Sequence, residues 1–122
     1  MAPSFTPKHL ATGLITALNT ANPTTIYTTP GTTNLVTIVT DVLVCNTSGA
    51  PVKVRLYAIL SGQTATAGQA TGALLFDYAI SPNDSVALPT RAILANGDFL
   101  AISASTASVV QFWISGAEEV TA

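Results

Sequence analysis

Few residues in this chain are of a type that carries chemistry. There is one histidine, His9, and one cysteine, Cys45, and the acids are Asp41, Asp77, Asp84, Asp98, Glu118 and Glu119. A hydrolytic triad would have to use His9, because the imidazole must pass a proton between a hydroxyl and a carboxylate. His9 follows a stretch bearing Pro3 and Pro7, a poor place to hold an imidazole within catalytic tolerance. Cys45 ends the run Val42-Leu43-Val44-Cys45, where a thiol without a nearby cation or helix start packs as a small hydrophobe. A lone cysteine forms no intrachain disulfide and no Cys-based metal site. Paired carboxylates would suit glycoside hydrolysis. However, Asp84 and Asp98 fall in turn sequences, and Glu118 and Glu119 are expected in solvent near the chain end. Asp41 and Asp77 sit mid-strand, within reach of Lys53 or Arg55 as ion-pair partners.

Binding loops are equally scarce. Gly62, Gly68 and Gly72 lack the Lys-Ser/Thr that completes a phosphate loop, and Asn83-Asp84-Ser85 and Asn96-Gly97-Asp98 are too short to coordinate calcium alone. Asn46-Thr47-Ser48 and Asn83-Asp84-Ser85 match the glycosylation acceptor pattern but read as ordinary turns. The expectation is a protein that is not an enzyme, with no catalytic residue, no cofactor and no metal.

The elements that must position these groups are strands. The chain has 122 residues, 48% hydrophobic but only 8% charged, against about 25% charged in an average soluble domain. The net charge of -2 excludes nucleic-acid binding by bulk electrostatics. No stretch of about 20 apolar residues offers a membrane span. Val52–Leu60 places Val52, Val54, Leu56, Ala58 and Leu60 on one face and Lys53, Arg55, Tyr57 and Ile59 on the other. Residues 34–46 alternate Val36, Ile38, Val42 and Val44 with Leu35, Val39, Leu43 and Cys45, apolar on both sides and so covered on both. The turn at 46–51 is expected to join these two strands as a hairpin, and Asn96-Gly97 signals another. Weaker strands are expected at 12–18 and 24–29, with further ones at 74–80, 85–88, 99–105 and 109–116. Residues 61–72 (SGQTATAGQATG) read as a solvated, mobile loop with nothing to bury. The prediction is an all-β fold: a single β-sandwich of jelly-roll type, with about eight short antiparallel strands. It comprises an extended N-terminal arm over residues 1–9 and the sandwich over 10–122.

Outward strand positions of a solitary sandwich should be charged. Here they carry Leu35, Val39, Leu43, Tyr57, Ile59, Leu75, Phe99, Val109 and Trp113, an apolar excess that marks a covered surface. Phe5, Leu35, Val39, Leu43, Tyr57, Ile59, Phe99 and Trp113 are the expected interface residues of a homo-oligomer.

The turn and strand motifs carry a family resemblance. The run from Ile26 to Thr33 (IYTTPGTT), then Val44 to Ser48 (VCNTS), resembles the opening of small tailed-bacteriophage virion proteins. Residues 80–86 (ISPNDSV), 94–100 (LANGDFL) and 112–119 (FWISGAEE) resemble their second half. The likeness spans about Thr24 to Val120, and its motifs specify the sandwich better than a task. It implies a capsid decoration (cement) protein on the outer capsid surface of the virion. Such a protein typically forms a homotrimer and bridges neighbouring copies of the major capsid protein. Residues 61–72 have no counterpart in that pattern. A phage tail, baseplate or fibre module shares these strands. A carbohydrate-binding module, with Tyr27, Tyr57 and Trp113 stacking on sugars, is the reading from a different class.

Overall fold

A computed structural model describes residues 4–120. The elements are β1 (Ser4–Ile15), β2 (Thr24–Thr28), β3 (Leu35–Asn46), β4 (Val52–Ile59), α1 (Ala65–Gly72), β5 (Ala73–Ile80), β6 (Ser85–Leu88), β7 (Ala92–Leu94), β8 (Phe99–Ala104) and β9 (Val110–Val120). They form two antiparallel sheets. In sheet A the order is β1-β9-β3-β6, with β7 also on β3; in sheet B it is β2-β8-β4-β5. The all-β sandwich expected from the strand periodicities is therefore present.

The core lies between the sheets. Val39, Val42, Val44, Phe112 and Ile114 of sheet A meet Val54, Leu56, Leu100 and Ile102 of sheet B, all buried. Gly13 lies opposite Phe112 in the β1–β9 ladder, and a Cβ there would press on the Phe112 ring at 3.1 Å, so the glycine makes room for the aromatic. Asn46 is the polar anchor. Its Nδ2 donates to the Ala50 carbonyl at 2.8 Å and to the carbonyls of Ser81 and Ile80 at 3.2 and 3.3 Å, while Oδ1 accepts from Ser48 N at 3.0 Å and Ser48 Oγ at 2.8 Å. A buried Asn so occupied ties two turns together at one end of the sandwich. The acceptor pattern beginning at Asn46 is thus a structural turn.

Several expectations are corrected. The arm expected over residues 1–9 is, from Ser4 onward, part of β1 and paired with β9; residues 1–3 lie outside the described residues. Proline within that stretch is tolerated because β1 is an edge strand with only one neighbour. The turn at 46–51 does not close a hairpin, because β3 and β4 belong to different sheets; the Asn96-Gly97 turn likewise carries the chain from β7 in sheet A to β8 in sheet B. The supposed loop contains α1. Thr64 caps it, its hydroxyl accepting from Ala67 N at 3.1 Å, and Gly68 and Gly72, one turn apart on one side, abut Ile59 and the Ala58 carbonyl of β4. A helix without bulky residues can lie against a sheet whose own residues supply the burial. Tyr57, Ile59 and Ala101 are accordingly buried, with Ala65 and Phe99 packed against them.

The faces of β3 also differ from the expected alternation. Leu35, Thr37 and Val39 point inward, and after a bulge at Thr40 the inward set continues as Val42, Val44 and Asn46. One extra residue shifts the side-chain phase. Leu35 and Val39 are therefore core, and Val36 and Ile38 take the outward places. β1 bulges at Leu10 in the same region, so both neighbours of β9 are interrupted around Ser115. Gly116 is required there, because a Cβ would strike the Ile38 carbonyl and the Leu10 side chain.

Candidate functional site

The reactive types do not converge. His9, Ser115 and Asp41 occupy one row across β1, β9 and β3, but the serine lies in the middle of that row, whereas a relay needs the imidazole between hydroxyl and carboxylate. The His9 ring instead stacks on Trp113, with centroids 3.9 Å apart and planes inclined by 25°. Among the described residues, no three His, Cys, Asp or Glu side chains come close enough to hold a metal ion.

The carboxylates serve the scaffold. Asp98 accepts from Ser61 N at 2.9 Å and Ala95 N at 3.0 Å, and Asp84 accepts from Ser85 N at 2.9 Å. Glu118, expected in solvent, pairs with Lys8 Nζ at 3.0 Å. Glu118 also accepts from the Tyr27 hydroxyl at 3.4 Å, which in turn shares a 2.8 Å hydrogen bond with Thr37. Burial raises the Tyr27 hydroxyl above its ordinary value of 10.0, opposed by the Thr37 hydrogen bond and helped by the Glu118 charge.

Asp77 does meet Arg55, Nε donating to Oδ1 at 2.8 Å and Nη2 to Oδ2 at 3.4 Å. The register of β5 against β4 shifts here, and Asp77 has a φ of 55°. Arg55 also stacks on Phe76 at 3.9 Å and donates to the Asn19 carbonyl at 3.1 Å. The hydrogen bond from Arg55 is the main cause holding the Asp77 carboxyl below its ordinary 3.8, and the same bond raises Arg55. Together with α1, this cluster occupies the outer side of sheet B.

Among the described residues, the outer side of sheet A has no such cover. Its rows read Phe5–Glu119–Val36, then Pro7–Ala117–Ile38–Ile93, then the polar His9–Ser115–Asp41, then, beyond the bulges, Thr12–Trp113–Leu43–Ala87 and Leu14–Gln111–Cys45–Ser85. Phe5 is 60% exposed, Ile93 73%, Trp113 46%, Leu14 45% and Leu43 41%, values far above those of a sandwich core. Between the last two rows lies a recess of about 540 Å³, lined by Thr12, Leu14, Leu43, Cys45, Gln111 and Trp113, among others. The stack with His9 backs the indole that walls it. This arrangement can grip an apolar protrusion.

Of the expected interface residues, Phe5, Leu43 and Trp113 lie together on this face. Leu35, Val39, Tyr57 and Ile59 are closed inside the chain, the first two by the β3 bulge and the others by α1. Phe99 is half-buried against the Tyr57 cluster. Leu14, Val36, Ile38 and Ile93 were missed. Ile93 lies in a three-residue strand too short to register as an alternation, and the others needed the bulge positions to be placed. Of the three aromatics considered for sugar stacking, Tyr57 is buried and Tyr27 is held in its hydrogen bonds, which leaves Trp113 alone. No helix among the described residues is long and apolar enough to cross a membrane. Comparison with known protein families, with characterised proteins and with solved structures finds no match to this chain.

Proposed function

We propose that the chain is a non-catalytic structural subunit of a virion, a capsid decoration protein that docks on the outer shell and braces neighbouring copies of the major capsid protein. The observation that carries this reading is the apolar outer face of sheet A, where Phe5, Leu14, Leu43, Ile93 and Trp113 are all exposed, against Leu74 and Phe76 on the sheet B side, the latter under Arg55. Exposed apolar groups at both ends of one face, with the row His9–Ser115–Asp41 between them, mark a surface meant to be covered. The strand order supports jelly-roll wiring: with β6 and β7 counted as one interrupted strand, every connection crosses between the sheets except β4 to β5. The turn motifs that resemble tailed-phage virion proteins all lie within this frame.

The test compares purified particles with and without the protein by cryo-electron microscopy and heat challenge. Density on the outer shell at capsomer junctions, with earlier rupture of particles lacking it, is the expected result. Shells that survive heat and chelation equally well without the protein overturn the bracing role. Density confined to the tail moves the assignment to a tail or fibre module. Glycan binding lost on Trp113→Ala moves it to sugar recognition.

A further inference from the structure

We infer that the outer face of sheet A is a self-association surface, covered in solution by a second copy of this chain. The inference rests on the structural-subunit reading and names the partner of that surface.

The dimensions fit. β9 has 11 residues and four strands lie abreast, giving a face of about 36 by 19 Å, or about 700 Å², from ordinary strand rise and spacing. A standard stable interface takes about 800 Å² from each partner. The composition fits as well. The acids on the face are Asp41 and Glu119, while Trp113 and Phe5 are of the aromatic types enriched in interface cores and Leu43 and Ile93 add exposed apolar area. Such a surface demands no charged partner; it is neither the basic stripe that suits nucleic acid nor an acidic patch. Relief is the third point. The recess beside Trp113 lies toward one end of the face, and the protruding Phe5 and Ile93 lie toward the other. Hollow and protrusion on one surface allow two copies to meet face to face with opposite ends apposed, each filling the other, which is the pattern of a self-complementary contact.

Cys45 lines the recess and is the only cysteine, so its thiol reports whether this face is covered. The experiment combines light scattering over a dilution series with the rate at which Cys45 reacts with a chromogenic disulfide. The wild-type chain is expected to weigh more than one copy, with Cys45 slowed as concentration rises. Leu43→Glu and Ile93→Asp, both at exposed positions and checked for folding by circular dichroism, should each weaken association about tenfold or more and release Cys45. Leu60→Ser, exposed but at the end of β4 in sheet B, should change neither reading. A single-copy mass at all concentrations overturns the inference, as does an oligomer whose mass and Cys45 reactivity ignore both face variants. Binding to shells stripped of the protein is scored separately. Single copies that still bind shells sink this inference and leave the decoration reading standing; associated copies that do not bind leave it standing and sink decoration.

Discussion

Asn46 shows how much of the sandwich depends on one polar side chain. From a fully buried position it holds three carbonyls and two donors from the turns around residues 48–50 and 80–81. Replacement by Ala leaves those groups short of partners, so Asn46→Ala should cost about 3 kcal/mol in urea denaturation, with an unchanged slope. The Arg55–Asp77 pair is solvent-accessible and makes a different prediction. Its carboxyl is held below 3.8, so the pair's contribution is present above that pH and disappears as pH falls through the lowered value. In Asp77→Asn, the decline of melting temperature on the acid side should therefore be shallower than in the wild type. Tyr27 has the opposite sign. Its raised hydroxyl contributes below pH 10.0 and loses that contribution as pH climbs above it, so Tyr27→Phe should flatten the alkaline decline. The sequence left Asp41 or Asp77 to pair with Lys53 or Arg55, all mid-strand, and the fold selects Arg55–Asp77. The anchoring by Asn46 was not legible from the sequence, since a turn residue gives no sign of which distant carbonyls it will meet.

Elements were readable where periodicity was uninterrupted. β4, with Val52, Val54 and Leu56 alternating against Lys53 and Arg55, matches the expected strand closely. β3 was located correctly but phased wrongly over its first half, because a bulge at Thr40 leaves no mark in the residue types. α1 was missed because its apolar partner is not in the helix at all; Tyr57 and Ile59 of β4 bring the buried area, and the helix contributes small residues that permit close approach. Thr64→Ala removes the cap and should cost about 1 kcal/mol. Gly68→Leu, whose side chain would overlap Ile59, should lift α1 and speed amide exchange at Tyr57 and Ile59 while the β1–β9 ladder stays protected.

The whole molecule is closed by its ends. β1 and β9 pair along their length, and Thr12 Oγ1 donates to the Phe112 carbonyl at 3.0 Å across 100 residues of chain. Contacts this distant in sequence must wait for the rest of the chain, so folding should take milliseconds to seconds, as in other sandwiches. Removal of residues 1–15 takes away β1 and the buried Ile15, and the truncated chain should show no cooperative thermal transition. The scarcity of charge belongs to this scale as well. Ten charged residues are distributed so that Arg55, Asp77, Lys8 and Glu118 fasten the scaffold, leaving little to solvate the face of sheet A.

The bulges that interrupt both neighbours of β9 have an evolutionary side. In a regular strand, losing one residue turns every side chain beyond it to the opposite face. Loss of Thr40 would do the reverse, since Leu35, Thr37 and Val39 would still point inward and β3 would simply straighten against β9. Changes of chain length are ordinarily confined to loops. This sheet has a place for them in the middle of a strand, beside the one that holds both its neighbours.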